Sequence, residues 1–226
     1  MAETTYFEHV AASLPYLLRG AGYTVGVAMV SMAFGLALGL AAALGKLSAS
    51  RPLRYLSVGY IDLFRGTPLL VQILFIYFGV PNLLQQIFGQ PMPLNPLAAG
   101  VIAFSLNAGA YIAEIFRAGI RSVDPGQTEA ARSLGLTGGQ AFRHVVFPQA
   151  FRRVVPPLGN EFIVLLKDTS LLSAIAVTEV LKEGQLYIAR TYAAFPTYLA
   201  IALVYLGLTV SASKIVGALE RRFPPR

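Results

Sequence analysis

The chain has 226 residues, of which 55% are hydrophobic and only 13% charged, and its net charge is +7. Soluble domains carry about 25% charged residues, so this balance excludes an ordinary soluble domain and assigns the basic excess to membrane topology rather than to nucleic acid. The absence of cysteine excludes disulfides and thiolate chemistry, and with His9 and His144 as the only histidines a histidine-built metal centre is excluded as well.

The N-terminal stretch "MAETTYFEHVAASLPYLLRG" carries Glu3 and Glu8 and no basic start, so it is expected to be retained rather than cleaved as a signal peptide. A membrane-crossing helix needs about 20 mostly apolar residues. The first such stretch lies between Arg19 and Lys46 and predicts a span over 23–45, with Gly35 and Gly39 four apart as a close-packing face. No charge occurs between Arg65 and Glu114, a length that exceeds one helix. Pro81, Pro91, Pro93 and Pro96 divide it, which predicts spans over 58–80 and 97–119. Arg65-Gly66-Thr67-Pro68 opens the first of these, and the pattern fits a kink and a plain helix start equally well.

A polar insert follows, over 124–150. Asp124-Pro125-Gly126 reads as a turn, Thr128 as a cap, and "EAARSL" as a short helix with Glu129 near its positive end. Gly135 is placed to end that helix in the left-handed conformation. Gly138 and Gly139 loosen the next turn, and "QAFRHVVFP" reads as a second short helix stopped before Pro148. The last two predicted spans are 154–176, interrupted by Glu161, Lys167 and Asp168, and 191–213. The fold class is therefore all-α, a polytopic bundle of five spans in one domain.

Lys and Arg mark the cytoplasmic side. Lys46, Arg51 and Arg54 follow the first span. Arg117, Arg121, Arg132, Arg143, Arg152 and Arg153 flank or occupy the insert, and Lys214, Arg221, Arg222 and Arg226 end the chain. The alternate connections hold only Arg19, then no basic residue over 81–96, then Lys182 and Arg190. This predicts an external N-terminus, a cytoplasmic C-terminus and a cytoplasmic insert.

Ionisable groups at membrane depth are costly and mark functional candidates. Asn107, Tyr111 and Glu114 share a helix face at i, i+4, i+7, as do Glu161 and Asp168, seven apart. Asn107, Tyr111 and Glu114, with Thr67 and the "KDTS" segment, Lys167, Asp168, Thr169 and Ser170, can line a hydrated path. Glu114 would accept an ammonium group, and Lys167 or the hydroxyls would donate to a carboxylate. The residues also fit a structural reading, in which Glu114 pairs with Arg117 and the other polar groups bond neighbouring helices.

The insert adds a longer pattern: Glu129-Ala130-Ala131, three residues, Gly135, nine residues, then Val145-Val146-Phe147-Pro148. This resembles the signature loop of permease subunits in ATP-binding-cassette importers, with Val145 and Phe147 where that family usually has Ile and Leu. "FRGTPLLVQILFIYFGVP" and "LLKDTSLLSAIAVTEV" look like the polar-amino-acid branch of the same permeases. The resemblance implies a type I importer (MetI-like) architecture in the cell membrane and a coupling helix in which Glu129, Ala130, Ala131, Arg132 and Gly135 contact a separate ATPase subunit. It also implies a second permease copy or paralogue and an extracellular or periplasmic substrate-binding protein. The cargo would be a polar amino acid. The chain would need no cofactor and no metal, would bind no nucleic acid and would catalyse no bond chemistry, since no phosphate-binding loop occurs in it. The rival reading is a nucleotide-independent carrier or channel in which Glu114 and Asp168 relay protons.

Overall fold

The computed structural model describes residues 6–222, so Glu3 and Arg226, used in the topology reading, lie outside the described residues. The described residues form helices joined by short connections, without a strand. In chain order the helices are α1 (Tyr6–Leu47), α2 (Arg51–Gly66), α3 (Leu69–Phe88), α4 (Pro96–Arg121), α5 (Pro125–Ser133), α6 (138–168), α7 (Val180–Thr191) and α8 (Ala194–Arg222). A short 3-10 stretch, Thr169–Ile175, prolongs α6.

Helix α1 starts well before the predicted 23–45 span. Its 42 residues make a rod of roughly 63 Å at 1.5 Å per residue, about twice the hydrocarbon thickness of a bilayer. One face is buried, through Leu17, Gly20, Thr24, Val27, Ser31, Gly35 and Gly39. The spacing of three and four is the helical repeat, and the small residues let α1 lie against α4. A Cβ added at Gly39 would sit 2.6 Å from Ile112 Cγ2 and 2.9 Å from the Gly109 carbonyl oxygen. The expected close-packing face is therefore the α1–α4 seam. Gly39→Ala is expected to lower stability by about 1–3 kcal/mol, the usual cost of overpacking, and thermal unfolding in detergent measures it.

The stretch predicted as one span over 58–80 is two helices. Thr67 and Pro68 are both extended, with ψ of 147° and 136°, and Pro68 opens α3. Proline pushes the residue before it out of the helical region, so α2 ends there. Pro81, expected to break the chain, does not: α3 continues to Phe88 and ends at Gly89 with φ 72°. A π turn over Phe75–Gly79 precedes Pro81, and a second over Phe142–Val146 precedes Pro148. In each case the widened turn lies where the proline would otherwise strip a carbonyl of its amide partner. For the same reason α6 runs through Pro148 instead of stopping before it.

Four helices are long and apolar enough to cross a membrane: Tyr6–Leu47, Leu69–Phe88, Pro96–Arg121 and Ala194–Arg222. The fifth expected span, 154–176, coincides with the end of α6 and the 3-10 stretch. It is helical but less apolar than the other four, because Pro156, Pro157, Asn160, Glu161, Lys167 and Asp168 fall in it. The stretch 181–195, read as a connection, is mostly helix α7.

The core is built around α4. Phe104 and Ile112 are fully buried and meet Ile73 of α3, Leu165 and Leu166 of α6, and Leu172 of the 3-10 stretch. Helix α5 and the start of α6 form a polar knuckle at one end of the bundle. Its first helix is capped by Asp124, whose Oδ1 accepts from Gly126 N at 2.8 Å, and not by Thr128. Pro125 at the first helical position starts the helix three residues earlier than the cap expected at Thr128. Gly135 has φ 89°, the left-handed elbow anticipated for it. Thr137 and Gln140 then open α6 with a reciprocal capping box.

Candidate functional site

Two regions carry the polar residues. The first is a cleft of about 550 Å³ between α2, α4 and α6. Tyr111 and Glu114 line it from α4, Arg65 from α2, and Asn160 and Glu161 from α6. The Arg65 guanidinium lies over the Tyr111 ring, 5.3 Å from its centroid, a cation–π contact that holds both at the cleft wall. Arg153, also at the cleft, donates to the Ser122 carbonyl and ties α6 to the end of α4.

Glu114 sits there as the centre of a three-charge cluster. Lys46 of α1 donates to its Oε1 at 2.7 Å, and Arg117 donates to its Oε2 from Nε at 2.8 Å and Nη2 at 2.6 Å. Its side chain is 15% exposed, and both carboxylate oxygens are engaged. The cluster carries a net charge of +1. It staples α1 to α4 and offers a donor face rather than an open acceptor. Glu161 and Asp168 differ: both are partly buried, and no described cation lies within salt-bridge distance of either. They are the carboxylates free to meet a cationic group.

The remaining path candidates are divided. Thr67 and Asn107 belong to the α2–α3 break. Gln72, buried, donates to the Phe64 carbonyl at 2.8 Å, the Thr67 carbonyl at 3.0 Å and Thr67 Oγ1 at 2.8 Å. Asn107 in turn donates to Gln72 Oε1 at 3.0 Å and to the Phe64 carbonyl at 3.2 Å. Backbone groups freed inside a membrane must find partners, and this network supplies them. Lys167 is exposed. Ser170 bonds the Lys167 carbonyl at 2.9 Å, and Thr169 is fully buried with its hydroxyl on the Leu166 carbonyl at 2.8 Å. Arg65, Asn160 and Glu161 are cleft residues absent from the sequence-derived site. The seven-residue spacing of Glu161 and Asp168 was a usable signal for one of them, but the approach of Arg65 to Tyr111 joins distant segments and left none.

The second region is the knuckle. Glu129, Ala130, Arg132, Leu134 and Gly135 are exposed on its outer surface, with Leu134 83% accessible. Ala131 is buried and packs inward. A charged pair, a small residue and a bare leucine together make a protruding contact surface, and an exposed leucine at a tip suits a partner's pocket.

The sequence matches the family model described as "Binding-protein-dependent transport system inner membrane component" over residues 35–224. It is 40% identical over 218 residues to a probable amino-acid permease protein of Bacillus subtilis, covering 96% of each chain. It is 37% identical over 210 residues to the glutamine transport system permease protein of Escherichia coli, covering 93% of this chain and 94% of the other. Among solved structures, an amino acid ABC transporter crystallised with histidines superposes with a TM-score of 0.87 at 40% identity, over 94% of this chain and 96% of that one.

Proposed function

The chain belongs to the family of binding-protein-dependent transport system inner membrane components, and from that premise we propose that it moves polar amino acids through a path lined by the α2–α4–α6 cleft. As a multi-pass permease subunit it provides passage and no bond chemistry. ATP is bound and split by a partner subunit, which docks on the knuckle through Glu129, Ala130, Arg132, Leu134 and Gly135. Ala131 supports that surface from inside. A second permease copy or paralogue completes the path, and a substrate-binding protein delivers cargo on the opposite side. The N-terminus faces out and the C-terminus and knuckle face the cytoplasm, so residues 1–226 form one permease domain with 154–176 as its fifth, less apolar, crossing.

The observation that carries this reading is the continuity of α6. The helix starts at the knuckle with the Thr137 capping box and passes the cleft at Pro157, Asn160 and Glu161. A push on the knuckle therefore reaches the cleft through one helical course. Within the cleft, Glu161 meets the ammonium group, and Asp168 follows it seven residues further along α6. Arg65 and the positive Lys46–Glu114–Arg117 cluster attract the carboxylate, and Tyr111 and Asn160 donate to it or to the side chain. A zwitterion needs both signs of charge placed apart in this way. Thr67 and Asn107 shape the cleft through the α2–α3 break, and Lys167, Thr169 and Ser170 fix its far end.

The test is uptake of radiolabelled glutamine, arginine and histidine into proteoliposomes holding the permease, its ATPase and its receptor. ATP-dependent uptake of one of them is expected. Uptake driven by a proton gradient alone would instead establish the carrier reading. Glu161→Gln is expected to cut uptake about tenfold, equivalent to the loss of one charge-assisted contact of about 1.4 kcal/mol. Membrane abundance should stay unchanged, since Glu161 has no described ion-pair partner to strand.

A further inference from the structure

At its end away from the knuckle, the α6 course is closed by the 3-10 stretch and by Ala176 in the left-handed conformation, φ 62°. Three residues on comes Glu179, which is fully buried. Its Oε2 accepts from Leu181 N and its Oε1 from Lys182 N, both at 2.8 Å, so it caps α7. The Tyr205 hydroxyl of α8 donates to the same carboxylate at 2.6 Å. Burial pushes the Glu179 carboxyl up from its usual range, and the Tyr205 hydroxyl and the two amides pull it back.

The backbone at this point is equally constrained. A Cβ on Gly20 of α1 would lie 2.8 Å from the Glu179 carbonyl carbon and 2.8 Å from Val180 N, so α1 touches this peptide directly. Thr24 Oγ1 of α1 is buried without a hydrogen-bond partner. Leu17, Ala21, Val180, Ala200 and Ile201 seal the junction with apolar contacts. Four segments thus meet at this residue: α7 and α8 at its carboxylate, α1 at its backbone, and the end of the α6 course through the bond from Glu179 N to the Val177 carbonyl at 2.9 Å. A buried carboxylate is retained at acceptable cost only when it is fully bonded, and this one joins α7 to α8, while His9 Nδ1 and the Tyr187 hydroxyl, 3.2 Å apart, make a separate polar contact between α1 and α7.

We propose that Glu179 is a positioning residue that pins the far end of the α6 course to α1 and α8, so that the course works as a lever with a fixed pivot at Glu179 and its moving end at the knuckle. This rests on the transport reading above. The two ends contrast in the way a lever requires. The pivot is buried and hydrogen-bonded, whereas the knuckle is exposed and turns on a glycine elbow. With rises of about 1.5 Å per residue in α6 and about 2.0 Å in the 3-10 stretch, Glu161 lies roughly two fifths of the way from pivot to knuckle. The cleft therefore feels a reduced but definite share of every knuckle displacement.

The absence of cysteine gives a clean test. His9 Nδ1 of α1 and the Tyr187 hydroxyl of α7 lie 3.2 Å apart, and both residues are partly exposed, so His9→Cys with Tyr187→Cys, joined by a short bifunctional thiol reagent, spans the pivot between α1 and α7. In vesicles holding the permease and its ATPase, this pair is expected to cross-link at the same rate, within twofold, with and without MgATP. The cross-linked complex should retain at least about half of its ATP hydrolysis. Glu179→Ala in the same background is expected to make the cross-linking rate depend on MgATP by about fivefold or more, and Glu179→Gln, which still accepts from Tyr205, should restore independence. A nucleotide-dependent rate in the parent pair, or hydrolysis abolished by the cross-link, would show a gate that opens and overturn the pivot. So would a Glu179→Ala variant whose cross-linking falls equally with and without MgATP, the signature of a merely structural role. Maleimide labelling of Leu134→Cys serves as the reference. If MgATP leaves it unchanged, the transport reading fails and takes the pivot with it, whereas the preceding outcomes overturn the pivot alone.

Discussion

Gly135→Val is expected to reduce ATP hydrolysis stimulated by the loaded receptor more than tenfold while leaving the permease in the membrane at its normal level. Gly135 has φ 89°, and a Cβ built on it meets nothing within 4 Å. The penalty is therefore purely conformational. A side chain in the left-handed region costs about 1–2 kcal/mol, and a β-branched one more, so the elbow will re-form at another angle rather than absorb the strain. The exposed surface of Glu129, Arg132 and Leu134 then meets the ATPase in the wrong orientation. Asn tolerates the left-handed conformation better than other residues. The order of activity should be Gly, then Asn, then Ala, then Val. Because no side chain is in the way, an order that followed volume alone, with Ala ahead of Asn, would exclude the conformational account. Titrating the receptor against hydrolysis in the reconstituted complex reads the whole series.

The knuckle was the most legible part of the chain because its signals are local. Asp124-Pro125 and Gly135 act on residues within three or four positions, and each does what its chemistry dictates, although the cap fell on Asp124 rather than Thr128 and the Thr137–Gln140 capping box that starts the next helix at Gly138 went unread. The apolar rods were legible for the same reason, and so was the α1–α4 seam announced by Gly35 and Gly39. Hidden from view were outcomes that depend on partners far along the chain. Pro68 ends α2 while Pro81 and Pro148 are carried through by π turns, and nothing beside a proline in sequence distinguishes the two. Glu114 has Arg117 three residues away, which was visible, but Lys46 arrives from 68 residues earlier and uses the second oxygen. Glu179 sits in "AVTEV", where only its place before a helix hints at a cap. Its bond to Tyr205 is a matter of packing.

The α2–α3 break provides the second large effect. Gln72→Leu is expected to destabilise the permease by about 3 kcal/mol and to lower its thermal midpoint in detergent by several degrees. The estimate comes from counting stranded groups. Gln72 Nε2 donates to two carbonyls and one hydroxyl, and its Oε1 accepts from Asn107. Leucine fills the same space and replaces none of these. The Phe64 carbonyl keeps Asn107 as a donor, but the Thr67 carbonyl and one N–H of the buried Asn107 amide lose their partner, and polar groups left without partners cost about 1–3 kcal/mol each where no water replaces the bond. Asn107→Leu should cost less, because Gln72 can still hold both carbonyls of the break. The double variant separates the pair. Side-chain hydrogen bonds between membrane helices contribute about 0.6 kcal/mol on average and up to about 1.7, so a coupling energy in that range is expected from the cycle. A coupling near zero would mean that water or lipid already satisfies the break, and that Gln72 is a cleft residue rather than its structural plug. The consequence for transport follows from position. Arg65 lies two residues before Thr67, at the end of α2, so loosening the break frees the guanidinium from the Tyr111 ring, and uptake should fall with stability rather than independently of it.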